Sequence, residues 1–174
     1  MEEIIKGLWL GSDEDVQEAK KRGYARLTCA KDGPDGHRSI LGYTTLGAPK
    51  GKDYLFARKG DHAAMNLIDV DDPEFISDDM LDTGLAFIHE MLSSGKKILV
   101  HCNAGMSRGP TTTMMYLRTI GELDQPFNRA KHIFKTLYPK FDPGHGMLFH
   151  AMSRWDELKG IYAERKQTIE NGRG

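Results

Sequence analysis

Lys96-Lys97-Ile98-Leu99-Val100-His101-Cys102-Asn103-Ala104-Gly105-Met106-Ser107-Arg108-Gly109-Pro110 is an apolar run that empties into a turn of small residues. Residues 96–100 read as a β-strand buried on both faces, because a short apolar stretch bounded by Gly95 and a turn suits a parallel strand. A helical pattern resumes over Thr111 to Ile120, so residues 101–110 form a strand-to-helix turn. At such a turn successive backbone N–H groups can converge as a nest. The helix N-terminus adds partial positive charge, and together they suit a tetrahedral dianion. Gly105 permits the backbone geometry and close approach that a cradle needs. Arg108, six positions after Cys102, returns across the loop mouth and can grip two phosphate oxygens through its planar fork. The same donors favour a sulfur anion at Cys102, the form that acts as a nucleophile. Asn103, Ala104, Gly105, Met106, Ser107 and Arg108 are thereby the candidate phosphate-binding residues.

Working outward, Ser77 is an N-cap with Asp78 and Asp79 in the first turn. Met80, Leu81, Phe87, Ile88, Met91 and Leu92 make one apolar stripe of a helix that Gly95 ends. Ala64-Met65-Asn66-Leu67-Ile68 reads as a strand, and an acidic loop, Asp69-Val70-Asp71-Asp72-Pro73-Glu74, separates it from that helix. Ile5 to Leu10 reads as an opening strand. Ser12 then caps a helix led by Asp13, Glu14 and Asp15 and closed at Gly23 after Lys20, Lys21 and Arg22. Ala25 to Ala30 is a strand that buries Cys29. Phe127 to Leu137 and Gly146 to Tyr162 are two further helices. From Lys31 to about Ala63 the pattern dissolves into Gly, Pro, Asp and Lys, with Asp32-Gly33-Pro34-Asp35-Gly36 as a turn cluster. Helices interleaved with strands predict a three-layer α/β fold: a mostly parallel central sheet flanked by helices, its phosphate-binding loop between a central strand and a helix.

The 174 residues, 39% of them hydrophobic, fit one catalytic domain over 1–166 with a loop-rich region at about 31–63. Residues 167–174 read as a flexible C-terminal tail. A net charge of -1 removes the global basic field that binding to long DNA requires, so any anion site is local. Two cysteines are too few for a disulfide framework and suit a reducing cytoplasm. Neither a secretory leader nor a membrane span of about 20 apolar residues is expected. His62, His89, His132, His145 and His150 show no metal-ligand spacing, so neither metal nor cofactor is expected. Lys50, Lys52, Arg58 and Lys59 read as an ordinary solvated loop ahead of a substrate patch. Cys29 reads as a core residue, with a redox partnership to Cys102 as the lesser reading.

The segment His101 to Arg108 matches the His-Cys-x5-Arg signature of the protein tyrosine phosphatase superfamily. Gly105, Ser107-Arg108 and Pro110 resemble its dual-specificity phosphatases in particular. Gly7-Leu8-Trp9-Leu10-Gly11-Ser12 is similar to that family's opening strand and turn, so the resemblance covers roughly Ile4 to Leu158. It implies that His101 orients the loop, Ser107 helps to hold it, Cys102 is the nucleophile and Arg108 the phosphate clamp. A cysteinyl phosphate forms only if the leaving oxygen is protonated, so an acid must enter from another loop. The acidic loop offers four carboxylates. By resemblance the acid lies just ahead of the helix that precedes the cysteine strand, which selects Asp71, 31 residues before Cys102 (102 − 71). Asp72 and Asp69 stand behind it.

The implied activity is metal-independent hydrolysis of phosphotyrosine, extending to phosphoserine and phosphothreonine, on a phosphorylated protein or peptide. A non-protein substrate is the alternative: an RNA 5′-triphosphate end, an inositol phosphate or a phosphoinositide. Related phosphoinositide enzymes carry lysines within the loop, where this chain has Asn103, Ala104 and Met106. The chain also departs from the family at Gly109, where a Ser or Thr hydroxyl usually helps the thiolate leave. That departure implies slow turnover, or a pseudophosphatase that holds a phosphorylated partner. The sequence does not specify the oligomeric state.

Overall fold

The computed structural model describes residues 1–163. Six strands form one sheet in the order β1-β2-β6-β3-β5-β4. They are β1 (Glu2–Ile5), β2 (Leu8–Ser12), β3 (Ala25–Thr28), β4 (Phe56–Lys59), β5 (His62–Met65) and β6 (Ile98–Cys102). The four central strands run parallel, while β1 and β4 pair antiparallel at the two edges. The sheet is therefore mostly parallel, as the sequence predicts. The carboxyl ends of β2, β6, β3 and β5 open on one rim.

Among the described residues six helices accompany the sheet: α1 (Val16–Lys21), α2 (His37–Leu41), α3 (Asp78–Ser93), α4 (Arg108–Thr119), α5 (Phe127–Leu137) and α6 (His145–Arg154). Alternation along β6 divides the core. Ile98, Val100 and Cys102 join the main apolar cluster with Leu85 and Ile88 of α3, Met114 and Leu117 of α4, Phe134 of α5 and Met147 of α6. Leu99 turns to the other face, onto Ala19 of α1 and Tyr24. Each fully buried Leu, Ile or Met contributes about 1.5–3 kcal/mol, so the main cluster fixes β6 between its neighbours. Ser77 caps α3 by accepting from Met80 N at 3.3 Å, which fits the capping read from the sequence.

Several boundaries differ, each for a local reason. The single strand expected over Ile5 to Leu10 is a hairpin, because Gly7 turns the chain at φ +85 and donates to Glu3 Oε1 at 2.8 Å. Ser12 caps a single 3-10 turn, Asp13–Asp15, and α1 follows it. α4 begins at Arg108, three residues before the expected start, since Pro110 is tolerated in a first turn whose N–H groups lack helical acceptors. α6 stops at Arg154, well short of Tyr162. The Trp155 carbonyl that would continue the helix accepts instead from Arg118 Nε at 2.9 Å. Within 31–63 the chain builds α2 and β4, neither of which the sequence pattern marked, and β5 begins at His62 rather than Ala64. The tail expected from Gln167 lies outside the described residues.

Candidate active site

β6 carries His101 and Cys102 to the carboxyl rim, both buried, and the chain turns through 103–107 into α4. Gly105 makes the turn possible twice over. Its φ is +70, and a β-carbon there would lie 2.8 Å from Gly11 O on β2. Among the described residues no acceptor takes the backbone N–H groups of Ala104, Gly105, Met106 or Ser107. Four donors thus stay uncommitted where α4 begins. Beneath them, Tyr138 donates its hydroxyl to Gly105 O at 2.8 Å. Burial pushes that phenol up to about 12, so it remains a neutral donor at physiological pH.

Arg108 is held on three sides. Nη2 donates to Asn103 Oδ1 at 2.7 Å and Nη1 to Leu67 O at 3.3 Å, while Nε lies 3.9 Å from Asp69 Oδ2. Ser107 Oγ donates to Asp69 Oδ1 at 3.2 Å and accepts from Gly144 N at 2.8 Å. Behind the loop, His101 Nε2 meets Thr28 Oγ1 at 2.8 Å, and its Nδ1 stands 3.2 Å from Asp13 Oδ1. Burial alone would raise the Asp13 carboxyl. The contacts with His101 and Asn103, helped by the Arg108 charge, outweigh it and hold Asp13 below the usual carboxylate range.

The three acidic-loop aspartates have separate environments. Asp69 faces Ser107 and Arg108. Asp72 caps the 3-10 turn Pro73–Phe75 by accepting from Glu74 N at 2.9 Å. Asp71 is exposed, and its carboxylate has no hydrogen-bond partner among the described residues; its backbone carbonyl faces His145 Nδ1 at 3.4 Å. The start of α6 braces this loop, because a β-carbon on Gly146 would lie 2.0 Å from Val70 O.

Two further residues explain themselves locally. Gly109 sits against β6, where a β-carbon would lie 3.1 Å from the His101 carbonyl carbon and 3.2 Å from Cys102 N, so helix–strand closeness favours glycine there. Cys29 is fully buried and donates its N–H to His101 O at 2.7 Å; burial pushes its thiol up. Among the described residues no group of three or more His, Cys, Asp or Glu forms a metal cluster, and no helix is long and apolar enough to cross a membrane.

Cys102, Arg108, Ser107 and His101 meet at one rim, as their spacing implies. The sequence missed the supports. Asp13 reads as a helix-start charge, Gly146 reads as the first residue of a helix, and Tyr138 and Gly144 carry no local signal. Only the shared small size of the two glycines hints at close contact.

A family model described as "Dual specificity phosphatase, catalytic domain" matches residues 45–153. Dual specificity protein phosphatase 22 of Xenopus laevis is 30% identical over 120 residues, covering 69% of this chain and 49% of the relative. The Homo sapiens protein of that name is 28% identical over 120 residues, covering 69% and 55%. The chain therefore spans about half the length of the curated relatives it matches. In fold it is similar to the crystal structure of DUSP15, with a TM-score of 0.64 at 19% identity over 98% of this chain and 95% of that one.

Proposed function

The chain belongs to the dual specificity phosphatase catalytic-domain family, and from that premise we propose that it hydrolyses phosphotyrosine, and phosphoserine and phosphothreonine with it, on protein or peptide substrates. The Cys102 sulfur attacks phosphorus while the N–H groups of 103–108 and the Arg108 guanidinium take the charge of the phosphoryl oxygens. The bond from phosphorus to the substrate oxygen breaks as Asp71 donates a proton to that oxygen. Asp71 then removes a proton from water, which attacks the cysteinyl phosphate and releases inorganic phosphate and the Cys102 thiolate. No metal enters either step, since the chain supplies nucleophile, acid and charge stabilisation.

Two things support Asp71 as the acid. Asp69 is engaged with Ser107 and Asp72 with a helix cap, which leaves Asp71 free to meet a leaving oxygen. His101 orients the loop through Thr28 and Asp13, and residues 1–166 act as one catalytic unit. Two free cysteines fit a reducing compartment such as the cytoplasm. The absence of lysine among residues 103–107 disfavours a phosphoinositide substrate.

One observation carries the reading: a buried cysteine ends the central strand directly before a loop of uncommitted N–H donors and a tethered arginine. The test is hydrolysis of para-nitrophenyl phosphate in EDTA. Cys102→Ser should lose at least about a thousandfold in kcat, and Arg108→Lys and Asp71→Asn on the order of a hundredfold each. Wild-type rates in Cys102→Ser would end the covalent mechanism. Phosphate binding without turnover in the wild type would select the pseudophosphatase.

A further inference from the structure

The side chain of Asn103 does something other than line the cradle. Its Nδ2 donates twice, to Asp13 Oδ2 at 2.9 Å and to Asp32 O at 2.9 Å. A primary amide has two N–H bonds, so both are engaged and the orientation of the amide is fixed. Its remaining face, Oδ1, is then obliged to point at Arg108, whose Nη2 it accepts at 2.7 Å. Asp13 is anchored in turn by its own N–H, which donates to Asn103 O at 3.2 Å, and by its contact with buried His101. Gly33 leaves room for the assembly. A β-carbon there would lie 2.8 Å from Asn103 Nδ2 and 3.0 Å from Asp13 Oδ2.

We propose that Asn103 is a positioning residue for Arg108, its amide held by Asp13 and the Asp32-Gly33 turn so that the guanidinium is preset for the incoming phosphate. The proposal rests on the phosphatase reading for its purpose, but its geometry can be tested by anion binding alone. Three loops separated in sequence converge on one amide, and a guanidinium left unheld loses affinity by sampling other rotamers. Asp13, which the sequence marks only as a helix-start charge, becomes the fixed end of a relay that runs Asp13, Asn103, Arg108. The turn cluster at 32–36 acts as the backing of that relay.

Calorimetric titration with inorganic phosphate, together with kcat and KM for para-nitrophenyl phosphate, tests this. Asn103→Ala should weaken phosphate binding and raise KM about tenfold, with a smaller change in kcat and an unchanged melting temperature. Asn103→Asp should be worse, since it sets a carboxylate against Asp13 and the Asp32 carbonyl. The double variant Asp13→Asn with Asn103→Asp restores a donor at position 13 facing an acceptor at 103, and it should bind phosphate more tightly than Asn103→Asp alone. Gly33→Ala, which displaces the amide from outside the loop, should reproduce the loss seen in Asn103→Ala. Phosphate affinity in Asn103→Ala within about twofold of wild type, or a double variant no better than the product of its singles, overturns the relay. A wild type that binds phosphate by these rules yet never turns over para-nitrophenyl phosphate would refute the phosphatase reading and leave the relay standing.

Discussion

At the carboxyl rim of the parallel strands, a β-carbon on Gly105 would lie 2.8 Å from Gly11 O and one on Gly146 2.0 Å from Val70 O. At the amino rim, the turn glycines Gly23 and Gly95 have nothing within 4 Å of such an atom. The same residue type thus serves two ends. At the amino rim it lets the chain reverse, as at Gly95 with φ +79; at the carboxyl rim it lets separate backbones touch. Phosphate binding needs backbone donors drawn into a small volume, and side chains there would hold the segments apart. Gly33, Gly105, Gly109 and Gly146, all crowded, therefore trace the proposed cradle and its braces.

Substitution can break this contrast. Gly146→Ala should have the largest effect, because its methyl must displace either α6 or the acidic loop. A loss of about 2 kcal/mol, or roughly 4–8 °C in melting temperature, is expected. A fall in kcat should accompany it, steeper for phenyl phosphate than for para-nitrophenyl phosphate, since the poorer leaving group depends more on the proposed acid, Asp71, in the displaced loop. Stability without kinetic loss would detach the brace from the chemistry.

An intermediate effect comes from pH, and it samples both rims. His150 lies at the carboxyl rim, 3.3 Å from Asp78, and His62 begins β5 at the amino rim, its Nε2 3.0 Å from Asp35 O. Burial pushes both below the ordinary histidine value, against the pull of Asp78 and Asp35 respectively. A base depressed in the folded state binds fewer protons than in the unfolded chain. Its contribution is whole above about pH 6.5 and is lost as the pH falls below it. The melting temperature should drop by a few degrees between pH 7 and pH 5, with His150→Gln and His62→Gln each flattening the slope. Phosphate affinity should follow the His150 part alone if the rims are energetically separate.

The smallest effect belongs to Gly95→Ala. Only a left-handed backbone opposes it, so about 1 kcal/mol and roughly 2–4 °C should be lost with no change in kinetics. A kinetic defect in Gly95→Ala as large as that of Gly146→Ala would erase the distinction between rims.

What the sequence displayed was whatever lies together along the chain. β6, the loop and α4 are consecutive, so Cys102, Gly105, Ser107 and Arg108 could be read as one motif. α3 showed its apolar stripe and its Ser77 cap because both are local. Asp13 meets Asn103 across 90 residues, and Tyr138 reaches Gly105 across 33, so nothing in either neighbourhood announces the contact. β4 was hidden for another reason: it is an edge strand with two of its four residues exposed, so it lacks the apolar alternation that marks a strand. Asp13 was misjudged because an acidic residue at a helix start already has an adequate local explanation.

The parallel run of β2, β6, β3 and β5 gives the molecule a polarity that reaches beyond chemistry. Every group of the proposed phosphatase chemistry gathers at one end, and the other end holds open turns with the Lys96–Asp61 ion pair at 2.6 Å on its surface. That far end is a natural handle: coupling the protein to a bead or a fluorophore through Lys96 or Lys97 leaves the mouth turned toward the solution.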